Sequence, residues 1–282
     1  MTRWVEETLH EDMRVRLKAD RILYDSRTPY QRIVLFENQS FGRVLTLDEV
    51  VQTTERDEFI YHEMLTHVPI LAHGAARAVL IVGGGDGGML EEALKHRSIE
   101  RVTMVEIDPG VIELSREYLG SICGSAFDEP RAELVIADGV EYVARCERRF
   151  DVIIVDSTDP IGPGEALFTE RFYQGCKACL APGGVLVTQN GVPFLQGAEL
   201  TGTLRCLRPL FADATCYLAT VPTYVGGPMA FGWGTDNAAL RRTPADVLRA
   251  RYDAAGIATR YYTPEVHVGA FALPGYVAEL IA

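Results

Sequence analysis

Two aspartates and two hydroxyl side chains follow an apolar run near the middle of the chain. Residues 151–155 have the apolar character of a buried strand, and Asp156, Ser157, Thr158 and Asp159 come directly after them. In doubly wound sheets the reaction site lies at the carboxyl ends of the strands. Carboxylates at this edge would hold a cationic amine, and Asp156 is the candidate general base that removes its proton. The alternative interpretation is a strand-end turn capped by aspartate side chains.

A glycine-rich loop follows an earlier apolar run and indicates a nucleoside site. Residues 78–82 are apolar, and the loop Gly83–Gly88 separates them from a predicted helix. Glu106 ends the next apolar run about 20 residues on, where an acid would bind a ribose diol. These features fit an NAD site or an S-adenosyl nucleoside site, while the structural alternative is a tight turn. Asp108 precedes Pro109, which predicts a helix cap for this aspartate.

Asp86 and Asp138 favour the S-adenosyl nucleoside over NAD. Asp86 lies inside the glycine loop, where its carboxylate would repel a pyrophosphate. It would also attract the ammonium tail of decarboxylated S-adenosylmethionine and repel the carboxylate of the intact form. Asp138 and Gly139 follow the third apolar run, where a carboxylate can accept from an adenine amino group. A plain helix cap is the alternative for Asp138.

Aromatic side chains are candidates for the amine pocket. Tyr61 and His62 lie together on a predicted helix over residues 56–73, and either could help to remove the proton, as could a water molecule. Tyr224 is central in a loop rich in glycine and proline and could cover the methylene chain of a diamine. Packing alone is the alternative for the Tyr61–His62 pair, and Trp233 is predicted to lie in a core strand.

Two patterns predict how these residues are positioned. Residues 12–54 contain short alternating runs separated by turn residues, which predict a small antiparallel sheet. Apolar runs and helical segments then alternate, which predicts an α/β fold with a doubly wound parallel sheet. We therefore divide the chain into an N-terminal β-strand domain, residues 1–55, and a catalytic domain, residues 56–282.

The composition limits the class of protein. The net charge of −12 argues against a nucleic-acid partner, because an acidic surface repels phosphate. No apolar run reaches the roughly 18 residues that span a membrane, and residues 1–7 lack the apolar core of a secretory signal. We expect a cytoplasmic protein without a membrane partner. Cys176 and Cys179 form a CxxC pair without a second metal-binding pair, so helix packing is favoured over a metal or redox site.

The chain resembles the bacterial spermidine synthase family over nearly its whole length. The resemblance depends on four segments in order: residues 51–64, the Gly83–Gly88 loop, residues 156–163 and residues 222–224. It implies a Rossmann-like sheet of the S-adenosylmethionine-dependent methyltransferase type after a small N-terminal antiparallel β-sheet domain. It also implies transfer of the aminopropyl group of decarboxylated S-adenosylmethionine to putrescine, giving spermidine and 5′-methylthioadenosine. We expect no prosthetic group and no metal. We expect the chain to form a homodimer or a homotetramer.

The resemblance further implies roles for individual residues. Asp156 would be the proton acceptor. The donor would be bound by Gln31, Asp86, Glu106, Asp138, Gly139 and Pro163. The amine and aminopropyl chain would contact His62, Asp86, Asp156, Ser157, Thr158 and Asp159, beside the Tyr61 and Tyr224 considered above. Gln31 and Pro163 are implied by the resemblance alone.

Three other functions stay open. A methyltransferase acting on an amine would share this fold, and Asp86 is the feature against it. An NAD-dependent dehydrogenase is disfavoured by the Asp156–Asp159 pair, and a non-catalytic polyamine-binding protein by an intact Asp156. The amine acceptor also stays open among putrescine, cadaverine, agmatine and spermidine.

Overall fold

The computed structural model describes residues 3–282, apart from the side chain of Pro163. Its first part contains two antiparallel sheets. The first pairs β1 (Arg3–Glu7) with β2 (Val15–Ala19). The second has the order β3-β4-β5-β6 and consists of β3 (Arg21–Arg27), β4 (Arg32–Asn38), β5 (Gly42–Leu47) and β6 (Val50–Thr54). The alternating runs thus form antiparallel strands as predicted, whereas β1 was not foreseen.

A long helix and a seven-stranded sheet follow. The helix is α1 (Glu58–His73). The strands are β7 (Ala78–Gly83), β8 (Arg101–Glu106), β9 (Ala132–Ile136), β10 (Phe150–Asp156), β11 (Leu180–Gln189), β12 (Asp213–Ala219) and β13 (Met229–Thr235). Their order is β12-β13-β11-β10-β7-β8-β9. Strands β7 to β11 pair in parallel, and β13 pairs antiparallel with β11 and β12.

Helices cover both faces of this sheet. They are α2 (Gly88–Lys95), α3 (Pro109–Tyr118), α4 (Gly120–Cys123), α5 (Gly139–Arg145), α6 (Glu170–Cys179), α7 (Pro193–Leu207), α8 (Ala245–Ala255), α9 (Pro264–Ala270) and α10 (Gly275–Leu280). Short 3₁₀ segments occupy Ala126–Asp128, Gly162–Phe168 and Leu240–Arg242. Val79 and Ile81 belong to one apolar core, and Leu80 and Val82 to the other. A strand buried on both faces explains the continuous apolar run and confirms the doubly wound prediction.

The four-stranded sheet packs directly against the helices of the larger one. Ile33 and Leu35 of β4 share a buried cluster with Val111 and Leu114 of α3. This contact fixes the N-terminal strands beside the strand ends of β7 and β8. Where the chain divides into domains stays a prediction.

Two further predictions concern the sheet's surroundings. Cys176 and Cys179 are free and buried in α6, in keeping with helix packing. Trp233 is fully buried in β13, as predicted. Within residues 3–282, none of the helices has both the length and the apolar character needed to cross a membrane.

Candidate functional site

A cavity of about 170 Å³ lies at the carboxyl ends of the parallel strands. Its walls come from the ends of β7, β8 and β10, from the start of α7, and from the N-terminal sheet. Strand β10 pairs with β7 so that Asp156 stands opposite Gly83. The sheet register therefore brings the glycine loop and the first of the predicted amine-binding acids to the same point.

Asp156 is enclosed beside the phenol of Tyr61. The Tyr61 hydroxyl donates to Asp156 Oδ1 at 2.5 Å. Burial, followed by the charge of Asp86, raises the pKa of Asp156 to about 7, although His62 and the Tyr61 hydrogen bond act in the opposite direction. A carboxylate with this pKa accepts protons near neutral pH, as a general base must.

The glycine loop lies close to the residues that end β8 and β10. Gly83 has a left-handed backbone, φ +86°, and a Cβ there would lie 2.0 Å from the carbonyl oxygen of Asp156. A Cβ on Gly85 would lie 3.0 Å from Oε2 of Glu106. Glycine at these positions therefore permits the close approach of Glu106 and Asp156, the residues that end β8 and β10.

His62 joins two carboxylates. Its Nδ1 lies 2.7 Å from Oε2 of Glu58, and its Nε2 lies 3.2 Å from Oδ2 of Asp86. Gly88 faces the ring so closely that a Cβ would lie 2.2 Å from its Cε1. Burial disfavours the imidazolium, but Asp86 and Glu58 outweigh burial and raise the pKa of His62 well above its usual value. Tyr61 and His62 thus make polar contacts in addition to their packing, and their role in the reaction stays a prediction.

Asp86 is held by its contact with His62 and by the start of α2. Its Oδ1 accepts from the backbone N–H of Gly88 at 3.0 Å, and its side chain is only 13% exposed. Burial acts to raise the pKa of Asp86, yet the neighbouring His62 lowers it overall. Asp86 is therefore ionised, although part of its charge is already balanced by His62.

Candidate metal-ligand atoms of His62, Asp86 and Asp156 lie within 4.8 Å of one another. Both ring nitrogens of His62 face carboxylates, so both carry protons and neither offers a lone pair to a metal ion. The cluster suits an ammonium better than a metal ion. That no metal takes part stays a prediction.

The candidate ribose site contains Glu106, with Gln31 close by. Burial raises the pKa of Glu106 to about 7, and its Oε1 accepts from the backbone N–H of Asp108 at 2.9 Å. Asp108 caps α3 through Gly110, as predicted, and its other oxygen accepts from Gln31 Nε2 at 3.0 Å and from Thr28 at 2.7 Å. Asp108 therefore anchors Gln31, which lies between β3 and β4, beside the strand ends. The sequence did not reveal this role.

Asp138 and Gly139 line the cavity at the start of α5. One Asp138 oxygen accepts from the backbone N–H groups of Val140, at 2.7 Å, and Glu141. The capping interpretation of Asp138 therefore applies, and its second oxygen makes no such contact within residues 3–282. Pro163, the other predicted neighbour of adenine, has its side chain outside the described atoms.

The far end of the cavity contains Asp159 and an unpredicted glutamine. Gln196 Nε2 donates to Asp159 Oδ1 and, at 3.2 Å, to Glu199. Gln196 Oε1 accepts from the backbone N–H of Val192 at 2.9 Å, which sets the orientation of the amide. The kink of α7 at Gln196 lets this side chain point back to the strand ends. Burial raises the pKa of Asp159 above its usual range.

The remaining predicted residues also line the cavity. Ser157 and Thr158 follow Asp156, and the Ser157 hydroxyl is buried without a hydrogen-bond partner within the described chain. Tyr224 donates to the carbonyl of Gln52 at 2.5 Å and meets the ring of Tyr61 edge-on, with centroids 5.9 Å apart. Its ring therefore closes the side of the cavity beside Asp156.

Sequence reasoning missed several groups that shape this site. Glu58 lies four residues before His62 on α1, a spacing that could have indicated the pair. There was no comparable signal for Gln196, for the cavity-lining Glu7 or for the contact of Asp108 with Gln31, because each depends on long-range contacts.

Fold and site together define a class: proteins with a Rossmann-like sheet and a carboxylate-lined cavity at the ends of its parallel strands. Residues 58–244 match the model of the spermine/spermidine synthase domain, and residues 3–55 match the spermidine synthase tetramerisation domain. The chain belongs to the spermine/spermidine synthase family, which confirms the resemblance and the prediction of an aminopropyltransferase.

Individual relatives support this assignment. The polyamine aminopropyltransferase of Ruegeria sp. (strain TM1040) is 60% identical over 277 residues, covering 98% of both chains. Polyamine aminopropyltransferase 1 of Pseudomonas aeruginosa is 58% identical, covering 98% of this chain and 96% of its own. A spermidine synthase crystallised with the transition-state analogue AdoDATO has a TM-score of 0.94 and 39% identity, covering 100% of this chain and 96% of that one. The crystal structure of spermidine synthase from Thermotoga maritima has a TM-score of 0.91 and 38% identity, covering 100% of this chain and 95% of that one.

Proposed function

We propose that this enzyme transfers the aminopropyl group of decarboxylated S-adenosylmethionine to putrescine, giving spermidine and 5′-methylthioadenosine. The observation that carries the proposal is the position of Asp156, a carboxylate with a pKa of about 7, in one cavity with Asp86 and Asp159. A row of carboxylates is suited to a linear molecule with an ammonium group at each end.

The donor occupies the glycine-loop side of the cavity in this proposal. Glu106 binds the ribose diol, with Gln31 beside it, and Asp138 and Gly139 contact adenine, with Pro163 close by. Asp86 and His62 contact the aminopropyl tail. The terminal ammonium is attracted by Asp86, whereas the carboxylate of intact S-adenosylmethionine would be repelled.

The acceptor occupies the other side. Asp159 holds the far ammonium, and Ser157 and Thr158 line this segment together with Asp156. Tyr61 and Tyr224 cover the methylene chain. Putrescine, cadaverine, agmatine and spermidine differ in length and head group, and the similarity to solved spermidine synthases supports putrescine.

The reaction needs alignment and one proton acceptor. The neutral amine nitrogen attacks the methylene carbon next to the sulfonium, so a C–N bond forms while the C–S bond breaks. The bonding electrons return to sulfur, which leaves as the thioether of methylthioadenosine. Asp156 takes the amine proton, directly or through water. Alkylammonium groups have a pKa near 10, so a carboxylate raised to about 7 is a better base than an ordinary one. Holding the two reactants in line supplies much of the remaining acceleration.

Mass spectrometry of the products tests this proposal. The enzyme is incubated with decarboxylated S-adenosylmethionine and, separately, putrescine, cadaverine, agmatine and spermidine. We expect an aminopropyl adduct of putrescine together with methylthioadenosine in equal amounts. A methylated amine formed from intact S-adenosylmethionine would instead indicate a methyltransferase. Absence of turnover with every amine would indicate a binding protein, and binding of NADH in an absorbance titration would support a dehydrogenase.

The assembly and location are part of the same proposal. The match of residues 3–55 to a tetramerisation domain supports a homodimer or homotetramer formed through the N-terminal strands. We place the division between the N-terminal domain and the catalytic domain at residues 55 and 56. The net charge of −12 supports small cationic substrates over nucleic acid, and we propose a cytoplasmic location without a membrane partner.

A further inference from the structure

Glu58 contacts the amine pocket only through His62. Both residues lie on α1, four positions apart, and their side chains meet at 2.7 Å. The Glu58 side chain is 13% exposed, and that of His62 is 2% exposed. Glu58 is absent from the cavity wall, whereas His62 reaches Asp86, which lines it.

The ring of His62 is fixed from several sides. Gly88 of α2 lies against one part of the ring, and the ring of Tyr61 meets it edge-on with centroids 5.4 Å apart. Carboxylates accept at both nitrogens, so both nitrogens must donate, and the ring carries a full positive charge. A buried cation of this kind is maintained only while its partners stay ionised.

This cation affects the charges that face it. Asp86 faces Nε2 from the glycine loop, Asp156 lies close by at the end of β10, and Tyr61 on α1 donates to Asp156. The positive charge of His62 favours the ionised forms of both aspartates. On the other side, Glu91 of α2 faces Glu58 but is paired with Lys95 at 2.9 Å.

We propose that Glu58 is a positioning residue that holds His62 as a doubly protonated cation, and that this cation sets the pH at which Asp156 accepts the amine proton. The second part of the proposal rests on the proposed function, whereas the first part concerns the histidine alone. Glu58 fixes the ring orientation and its second proton, and His62 then keeps Asp86 ionised for the aminopropyl ammonium.

The informative variant is Glu58→Gln, because glutamine keeps the size and can accept from Nδ1 but carries no charge. In ¹⁵N-histidine NMR spectra of the wild type, both ring nitrogens of His62 should stay protonated throughout the neutral pH range. The variant should lose one of these protons within that range. The acid side of the variant's kcat/KM pH profile should move to higher pH by about one unit, because Asp156 loses the adjacent positive charge of His62.

Two further variants separate charge from structure. Glu63→Gln changes another buried carboxylate of α1, which accepts from three backbone N–H groups, those of residues 260–262. It should lower thermal stability and leave the His62 signals and the pH profile in place. Glu58→Asp keeps the charge and should keep both protons on His62.

The NMR result does not depend on the reaction, so it separates this proposal from the proposed function. If His62 kept both protons in Glu58→Gln across the neutral range, Glu58 would not hold the cation. If one proton were lost and the pH profile of aminopropyl transfer stayed fixed, His62 would not set the working pH of Asp156. If the wild type transferred no aminopropyl group, the proposed function and the second part would be wrong, whatever the histidine signals showed.

Discussion

The hydroxyl of Tyr61 and the carboxylate of Asp156 share a hydrogen bond of 2.5 Å, although 95 positions separate them in the chain. Burial, followed by the charge of Asp156, raises the pKa of Tyr61 well above its usual value, so this phenol stays a donor. Its hydrogen bond favours the ionised form of Asp156, whereas burial and Asp86 favour the protonated form. Helix α1 therefore supplies a group that tunes the proton affinity of the candidate base.

Tyr61→Phe should raise the pKa of Asp156, because it removes a donor that stabilises the carboxylate. Asp156 acts as a base only when it is ionised. The fall in activity on the acid side should therefore begin at a higher pH in the variant. We expect the acid side of the pH profile of kcat/KM to move upward, with the largest fall in rate below neutral pH. Tyr173→Phe removes a buried hydroxyl that contacts Thr203 at 3.2 Å and should leave the profile in place. An equal fall in rate at every pH for Tyr61→Phe would show that the phenol does not tune Asp156.

Asp159→Asn should weaken binding of the diamine more than binding of the donor. A charge-assisted hydrogen bond contributes about 1.5–3 kcal/mol, so KM for putrescine should rise by roughly ten- to a hundredfold. Steady-state kinetics with each substrate varied in turn provide the measurement. Gln196→Leu keeps the carboxylate but removes the amide that orients it, and it should have a smaller effect of the same kind. If saturating putrescine recovered none of the lost rate, Asp159 would act in chemistry or folding instead.

Asp86→Asn should reduce the preference for decarboxylated over intact S-adenosylmethionine. The amide nearly preserves volume but neither attracts the terminal ammonium nor repels the carboxylate of the intact form. Loss of a contact that contributes about 1.5–3 kcal/mol should reduce the ratio of the two affinities by roughly ten- to a hundredfold. Calorimetric affinities of both ligands for wild type and variant measure the change.

Methylthioadenosine, which lacks the charged tail, is the control for Asp86→Asn. It should bind both proteins equally if the glycine loop keeps its shape. The Asp86 carboxylate also accepts from the backbone N–H of Gly88 and pairs with His62. Parallel weakening of all three ligands would therefore mean that Asp86 shapes the loop and does not select by charge.

Local patterns in the sequence predicted the buried strands and the helix caps, because these features depend on residues that are neighbours in the chain. The apolar runs of β7, β8 and β10 predicted strands buried on both faces, and the acids that follow them lie together because parallel strands end at one edge. Asp108 before Pro109 predicted a cap that the structure contains. Asp138 caps α5, as one of its two interpretations predicted, and it also lines the cavity, whereas its contact with adenine stays a prediction.

Long-range contacts were beyond the reach of these patterns. Gln31 is connected to the site by a hydrogen bond to Asp108, 77 positions away, and only the family resemblance indicated it. Gln196 reaches Asp159 across 37 positions through a kink in α7 that was not predicted. The positive charge of His62 depends on two carboxylates from different elements, which the sequence could not place around one ring.

Asp156→Asn tests the central claim most directly, because it keeps the shape of the side chain and removes its basicity. We predict that turnover of putrescine with decarboxylated S-adenosylmethionine falls at least about 100-fold, within the range for loss of a general base, while methylthioadenosine binds as it does to wild type. Asp151→Asn is the matched control, since Asp151 is the second residue of the same strand and accepts from the backbone N–H groups of Arg77 and Ala78 at the opposite end of the strand. It should leave turnover near the wild-type rate. Near-normal turnover of a folded Asp156→Asn enzyme would contradict the account and remove Asp156 from the mechanism.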